Sequence, residues 1–219
     1  MTQIQRKALS DICSIPVRNP FDGTIVGEVG ETSQAGIAGA IVRAKVAQWE
    51  FRRSTPALRR QLLNALAAEI AADAENLARI ISSEMGKTIR EARNEVRRAQ
   101  NTLKLSGDAA TFLDGEALHC AIVEGGADRL ATITYEPVGV IGAITPFNYP
   151  LNLLCHKLGP AIAAGNAVVA KPSPKAPLAA DRLCELAVRA GWPDDLFQIV
   201  HGGAEAALSL ARAPIDLLS

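Results

Sequence analysis

The alternation of apolar and polar positions divides the chain into three stretches. In the first, Thr32 or Ser33 can cap a helix running to about Trp49, and Thr55-Pro56 opens another with proline at its first helical position. Leu58, Leu62, Leu66 and Ile70 recur every four residues and form an apolar stripe. Gly86 closes the helix containing "ARIISSEM", and "KTIREARNEVRRAQNTLKLSGDAATFL" continues as a polar-faced helix whose charges read as a solvated surface. The second stretch, "GEALHCAIVEGGADRLATITYEPVG", is β-branched and alternating in "RLATITYEPV", with "EGGAD" as the turn of a strand pair. After Glu136 the pattern changes again. "VGVIGAIT" is apolar on both faces, as a parallel strand must be. A helix from about Pro150 to Ala164, the strand "AVVAK", a helix from Pro177 to Ala190 ended by Gly191, the strand "FQIV", the short helix "AEAALSLA" and the strand "IDLLS" follow. This order specifies an α/β fold with a mostly parallel sheet covered by helices.

Hydrophobic residues make up 48% of the 219, enough for a real core. The 23 Lys and Arg balance the 23 Asp and Glu, so a nucleic-acid or anionic-membrane surface is not expected. The longest apolar run, "LGPAIAAGNAVVA", is too short to span a bilayer and is broken by Gly, Pro and Asn. The N-terminus has no uninterrupted apolar segment of a secretion signal. Cys13, Cys120, Cys155 and Cys184 are widely spaced without a CxxC pair, which disfavours disulfides and a zinc site and fits a reducing cytoplasm.

In an open parallel sheet, ligands bind at the carboxyl ends of the strands. Three polar features are expected there: Asn148 after the first strand, Lys171 closing the second, and His201-Gly202-Gly203 after the third. Each has a plain alternative. Asn148 could hold its own turn rather than donate its amide to a developing oxyanion. Lys171 could be a surface lysine rather than a partner for ribose hydroxyls or a phosphate. The glycines could simply make a turn. Neither GxGxxG nor GxxxxGK[ST] occurs. His119 and His156 are isolated, and Cys155 reads as a small buried hydrophobe.

"YEPVGVIGAITPFNYPLNLLCHKLGPAIAAGNAVVAKPSPKAP" closely resembles the aldehyde dehydrogenase superfamily. "GWPDDLFQIVHG", "NPFDGTIVGEV", "AKVAQW" and "EMGKTIREARNEV" match it too, so the resemblance runs from about Val17 to Ser219. It implies an atypical Rossmann-type sheet, with residues 1–115 as the helical part of a cofactor-binding domain, 116–137 as a β-strand oligomerisation arm, and 138–219 as the first βαβαβαβ half of the dinucleotide-binding domain. It also implies oxidation of an aldehyde through attack by a cysteine thiolate, an oxyanion held by an asparagine, and hydride transfer to NAD or NADP. Asn148 matches the oxyanion asparagine. Ile144, Thr145, Pro146 and Phe147 match the loop along the cofactor. Lys171, Pro172 and Ser173 match the segment meeting the adenosine ribose, and Gly202 a glycine lining the adenine side.

Two departures matter. Pro174 stands where many NAD-preferring members carry a glutamate, so NADP remains open, and Lys175 next door favours it weakly. The family's general-base glutamate and nucleophilic cysteine follow the strand matching "IDLLS". The chain therefore reads as a truncated N-terminal portion, with the catalytic domain absent and no turnover expected from it alone. A non-catalytic nucleotide-binding or subunit-interaction fragment is the alternative. The "PFNYPLNL-CHK" segment is most similar to members acting on small hydroxylated, phosphorylated or phosphonated aldehydes: phosphonoacetaldehyde, lactaldehyde and non-phosphorylating glyceraldehyde-3-phosphate dehydrogenases. In some of these an arginine at the position of Arg98 meets the anionic end of the substrate. A small aldehyde is the expected partner, and the full-length form is expected to be a homo-oligomer.

Overall fold

The structure, a computed structural model, describes residues 14–113 and 115–219; Cys13 lies outside them. Local chemistry starts each helix. Ser33 Oγ accepts from the Gly36 amide at 3.1 Å and caps α1 (Gln34–Phe51). Thr55 Oγ1 does the same for Leu58, at 3.2 Å, ahead of α2 (Pro56–Ala72). The apolar stripe of α2 is buried at Leu62, Leu66 and Ile70, whereas Leu58, on the first turn, stays 40% exposed. Asp73 separates α2 from α3 (Ala74–Met85), and Gly86, in the left-handed region at φ +67°, ends α3. Thr88 Oγ1 accepts from the Glu91 amide at 3.3 Å and donates to the Glu91 carboxylate at 3.0 Å, capping α4 (Ile89–Ala110).

A hairpin of β1 (Ser14–Arg18) and β2 (Ile25–Gly30) precedes these helices, in antiparallel register with Ile15 opposite Val29. The sequence reading passed over it, because Pro16, Gly27 and Gly30 dilute an already short alternation. The expected strand pair is present as β3 (Glu116–His119) and β4 (Leu130–Ile133), antiparallel and mostly exposed.

The remaining elements alternate as expected: β5 (Val140–Ile144), α5 (Pro150–Ala163), β6 (Ala167–Lys171), α6 (Leu178–Arg189), β7 (Phe197–Ile199), α7 (Ala204–Arg212) and β8 (Leu217–Leu218). The sheet is parallel throughout, in the order β7-β6-β5-β8. Register runs from Val140 opposite Ala167 to Ile144 opposite Lys171, so both central strands end at one edge.

α5 covers the sheet and α4 covers α5. A Cβ at Gly159 would stand 2.4 Å from Ser106 Oγ on α4. Gly159 therefore leaves room for the Ser106 side chain and the two helices meet closely, which brings the polar residues of α4 to the start of α5. No helix among the described residues is long and apolar enough to cross a membrane.

Candidate functional site

Past the end of β5 the Thr145 amide donates to the Lys171 carbonyl at 3.2 Å, holding the two strands together one residue further. The Thr145 hydroxyl is buried and has no hydrogen-bond partner among the described residues. Pro146, Phe147, Asn148 and Tyr149 then form an exposed turn before Pro150 opens α5. The Asn148 side chain makes no hydrogen bond among the described residues, so the turn is not held by its amide. That amide is left as a free donor at the carboxyl end of a central strand.

Lys171 is 4% exposed and is not the surface lysine of the plainer reading. Its Nζ donates to the Pro172 carbonyl at 2.9 Å and the Gly202 carbonyl at 3.0 Å, and burial lowers its pKa. The ammonium thus ties the end of β6 to the loop after β7, with a third N–H still to place. Gly202 has φ +146°, and a Cβ there would lie 2.5 Å from Ala206 Cβ, so this position requires glycine. Ser173 Oγ accepts from the Lys175 amide at 3.3 Å, and Lys175 Nζ stands 4.9 Å from the Phe147 ring centre. His201 pairs through Nε2 with Asp181 Oδ1 at 2.8 Å, while its amide donates to Thr32 Oγ1 at 2.9 Å. The orphaned Thr145 hydroxyl and the incompletely used Lys171 ammonium fit a hydroxyl-rich or anionic group at this edge.

Arg98 is exposed on α4, outside the cluster at the strand ends, with its guanidinium 5.6 Å from the Tyr149 ring centre. It borders an open groove of about 710 Å³ in which Lys87, Arg97 and Arg98 are mixed with Glu91 and Glu95.

Two buried carboxylates that cap helices were missed. The charges of α4 are not all solvated: Glu95 is 1% exposed. It falls on the buried stripe Ala92, Glu95, Val96, Ala99, Leu103, whose three- and four-residue spacing was the available signal. Its Oε1 accepts from the amides of Leu151 and Asn152 at 3.0 and 3.2 Å, and its Oε2 from Lys87 Nζ at 2.7 Å. At the other end of α5, Arg59 donates to the Ala163 carbonyl at 3.4 Å and to the Arg52 carbonyl at 3.1 Å. The helix that carries the asparagine turn is thus held by a charge of the appropriate sign at each end.

Glu84, 2% exposed, caps α6 in the same way through the Leu178 and Ala179 amides at 2.8 and 3.1 Å. Burial pushes its pKa up to about 8, against the lowering by those two amides, and Asp181 and Glu95 add to the rise. The folded chain therefore holds this proton at pH values where the unfolded chain has released it. The stabilisation is complete below pH 4.5 and is lost as pH rises toward 8. Glu84→Gln keeps an acceptor oxygen and removes the titration. Urea midpoints followed from pH 5 to 8 should fall less for the variant than for the parent chain. Parallel slopes would exclude Glu84 as the source.

The thiols are poorly placed for nucleophilic work. Cys155 is fully buried, and burial, reinforced by Glu95, pushes its pKa up. Burial with Asp181 and Glu185 pushes Cys184 up to about 11. Cys120 lies in the turn after β3, away from the strand ends.

The sequence pattern of the aldehyde dehydrogenase family matches residues 8–217, and the chain belongs to that family. It is 44% identical over 207 residues to aspartate-semialdehyde dehydrogenase 1 of Pseudomonas canavaninivorans, covering 91% of this chain and 42% of the relative. It is 40% identical over 190 residues to 3-sulfolactaldehyde dehydrogenase of Priestia megaterium, covering 86% and 39%. Among solved structures, NADP-dependent glyceraldehyde-3-phosphate dehydrogenase of Bacillus halodurans, complexed with NADP, superposes with a TM-score of 0.91 at 32% identity, covering 94% of this chain and 44% of that one. The chain thus spans about two fifths of the length of the relatives it matches.

Proposed function

We propose that residues 1–219 supply the oxyanion donor and the first half of the dinucleotide site of an NAD- or NADP-dependent aldehyde dehydrogenase. The observation that carries this reading is the unbonded Asn148 amide beside Thr145 and Lys171 at one sheet edge. The division into 1–115, 116–137 and 138–219 belongs to the same proposal.

The reaction converts an aldehyde to its acid. A thiolate adds to the carbonyl carbon, and the Asn148 amide donates to the oxygen as negative charge gathers there. Because the amide is free before substrate arrives, it needs no rearrangement to do so. A dinucleotide bound here would take up the hydride that the substrate carbon loses, and water would then release the acid from the resulting thioester and return the thiol. Ile144, Thr145, Pro146 and Phe147 would hold it along the loop, Lys171 and Ser173 would receive its adenosine ribose, and Gly202 would leave room for its adenine side. Pro174 puts no carboxylate beside a 2′-phosphate, and Lys175 adds a cation, so NADP is accepted along with NAD. The thiolate is expected from outside the described residues: Cys155 is buried and Cys184 partly buried, both with raised pKa values, and Cys120 follows β3 in the exposed strand pair. The chain alone is therefore expected to bind nucleotide without turning over.

The substrate is a small aldehyde bearing an anionic group. Arg97 and Arg98 are the exposed cations on this groove, Lys87 being paired with Glu95, and the relatives named above act on carboxylated, sulfonated and phosphorylated aldehydes. A guanidinium suits such a group through paired N–H donors. In the complete enzyme, Arg98→Ala should raise KM for a phosphorylated or carboxylated aldehyde by roughly tenfold, the scale of one charge-assisted hydrogen bond. KM for a neutral aldehyde should change far less. Equal increases for both would remove Arg98 from substrate binding.

A further inference from the structure

The geometry of α4 and α5 points to Glu95 as the residue that sets the aim of Asn148. α5 has no side-chain cap of its own, since Tyr149 offers no oxygen to the first turn. Unsatisfied amides at a helix start invite fraying. Glu95 meets that need from a different helix, binding the Leu151 and Asn152 amides with one carboxylate oxygen. Its other oxygen holds Lys87, whose Nζ lies 4.0 Å from the Tyr149 ring centre. Thr102 Oγ1 is 3.2 Å from Asn152 Oδ1 and ties the same turn to α4 a second time. Tyr149, Leu151 and Asn152 are thus all fixed from this side. Asn148 is the next residue back along the chain, and its side chain makes no hydrogen bond among the described residues.

Glu95 is a positioning residue: it does not reach the reacting atoms, and it acts through the backbone of residues 149–152. The inference rests on the reading of Asn148 as the oxyanion donor, and the test separates the two. In ¹⁵N-labelled chain, the Asn148 backbone amide should have an order parameter near ~0.85, falling toward ~0.6 in Glu95→Ala. Glu95→Gln, which keeps an acceptor for the two amides but loses Lys87, should fall between them. Trp192→Phe removes a buried hydrogen bond to the Leu62 carbonyl and serves as the control for general loosening. If Glu95→Ala does not fold, Lys87→Met interrupts the link to Tyr149 while leaving the cap, and the same loosening at Asn148 is expected. Equal order at Asn148 in the parent, Glu95 and Lys87 variants would overturn the proposal, as would equal loosening in Trp192→Phe.

In the complete enzyme, Glu95→Ala should lower kcat by on the order of tenfold, with the aldehyde KM changed less than about twofold and partial rescue by Glu95→Gln. Loosening without loss of kcat would leave the contact in place but overturn the oxyanion reading on which the proposal rests.

Discussion

Replacing Asn148 by alanine in the complete enzyme is expected to lower kcat by roughly 10²–10³, the loss typical of removing one oxyanion donor. The melting temperature should hardly move. The side chain is exposed and makes no hydrogen bond among the described residues, so its removal leaves no cavity and no stranded partner. The aldehyde KM should also change little, because the bond is made to charge that develops only as the thiolate adds. Asn148→Asp would be worse than alanine, since a carboxylate faces the growing negative charge. Steady-state kinetics and a thermal melt on the same preparations check this. A loss confined to KM, or a kcat within about threefold of the parent, would not fit a group acting in the transition state.

The second large effect lies in the helix behind that loop. Leu158→Ala should cost about 2–5 kcal/mol of folding stability, the range for a fully buried leucine. Leu151, Leu154, Leu158 and Ile162 form one buried face of α5, all fully inaccessible to solvent. The cavity has little means to collapse. Gly159 already brings α5 against Ser106, so α4 has no room to move inward. The loss is a large fraction of the roughly 5–15 kcal/mol that stabilises a typical domain. Urea unfolding should show a lower midpoint with an unchanged slope. A cost under about 1 kcal/mol would mean that the two helices are not locked as described.

The parallel sheet was legible because its strands are apolar on both faces, and the first two helices because each opens on its own cap. "VGVIGAIT" and "AVVAK" have few alternatives, and Ser33, Thr55 and Gly86 mark helix ends by local chemistry alone, whereas the Thr88 cap was passed over. Asn148 was legible from its place after a strand and from its motif. The hairpin at residues 14–30 was not, since its two strands are short, half polar and interrupted by Pro and Gly. The charge of α4 misled for a related reason. A glutamate on a polar-faced helix reads as solvated, and only the partner helix shows that Glu95 serves amides about 56 positions later. Lys171 was placed correctly at its strand end. Its burial depends on two carbonyls, one of them 31 residues away, which no local pattern discloses.

The measurement that bears most directly on the account is a titration of the ¹⁵N-labelled 219-residue chain with NAD⁺ and NADP⁺, followed by amide chemical shifts. The account predicts shifts at Ile144–Phe147, at Lys171 and Ser173 and at Gly202, saturating weakly because only half of the site is present, while the β3–β4 hairpin stays unchanged. Shifts scattered over the surface, or none at the carboxyl ends of β5, β6 and β7 at millimolar nucleotide, would contradict it.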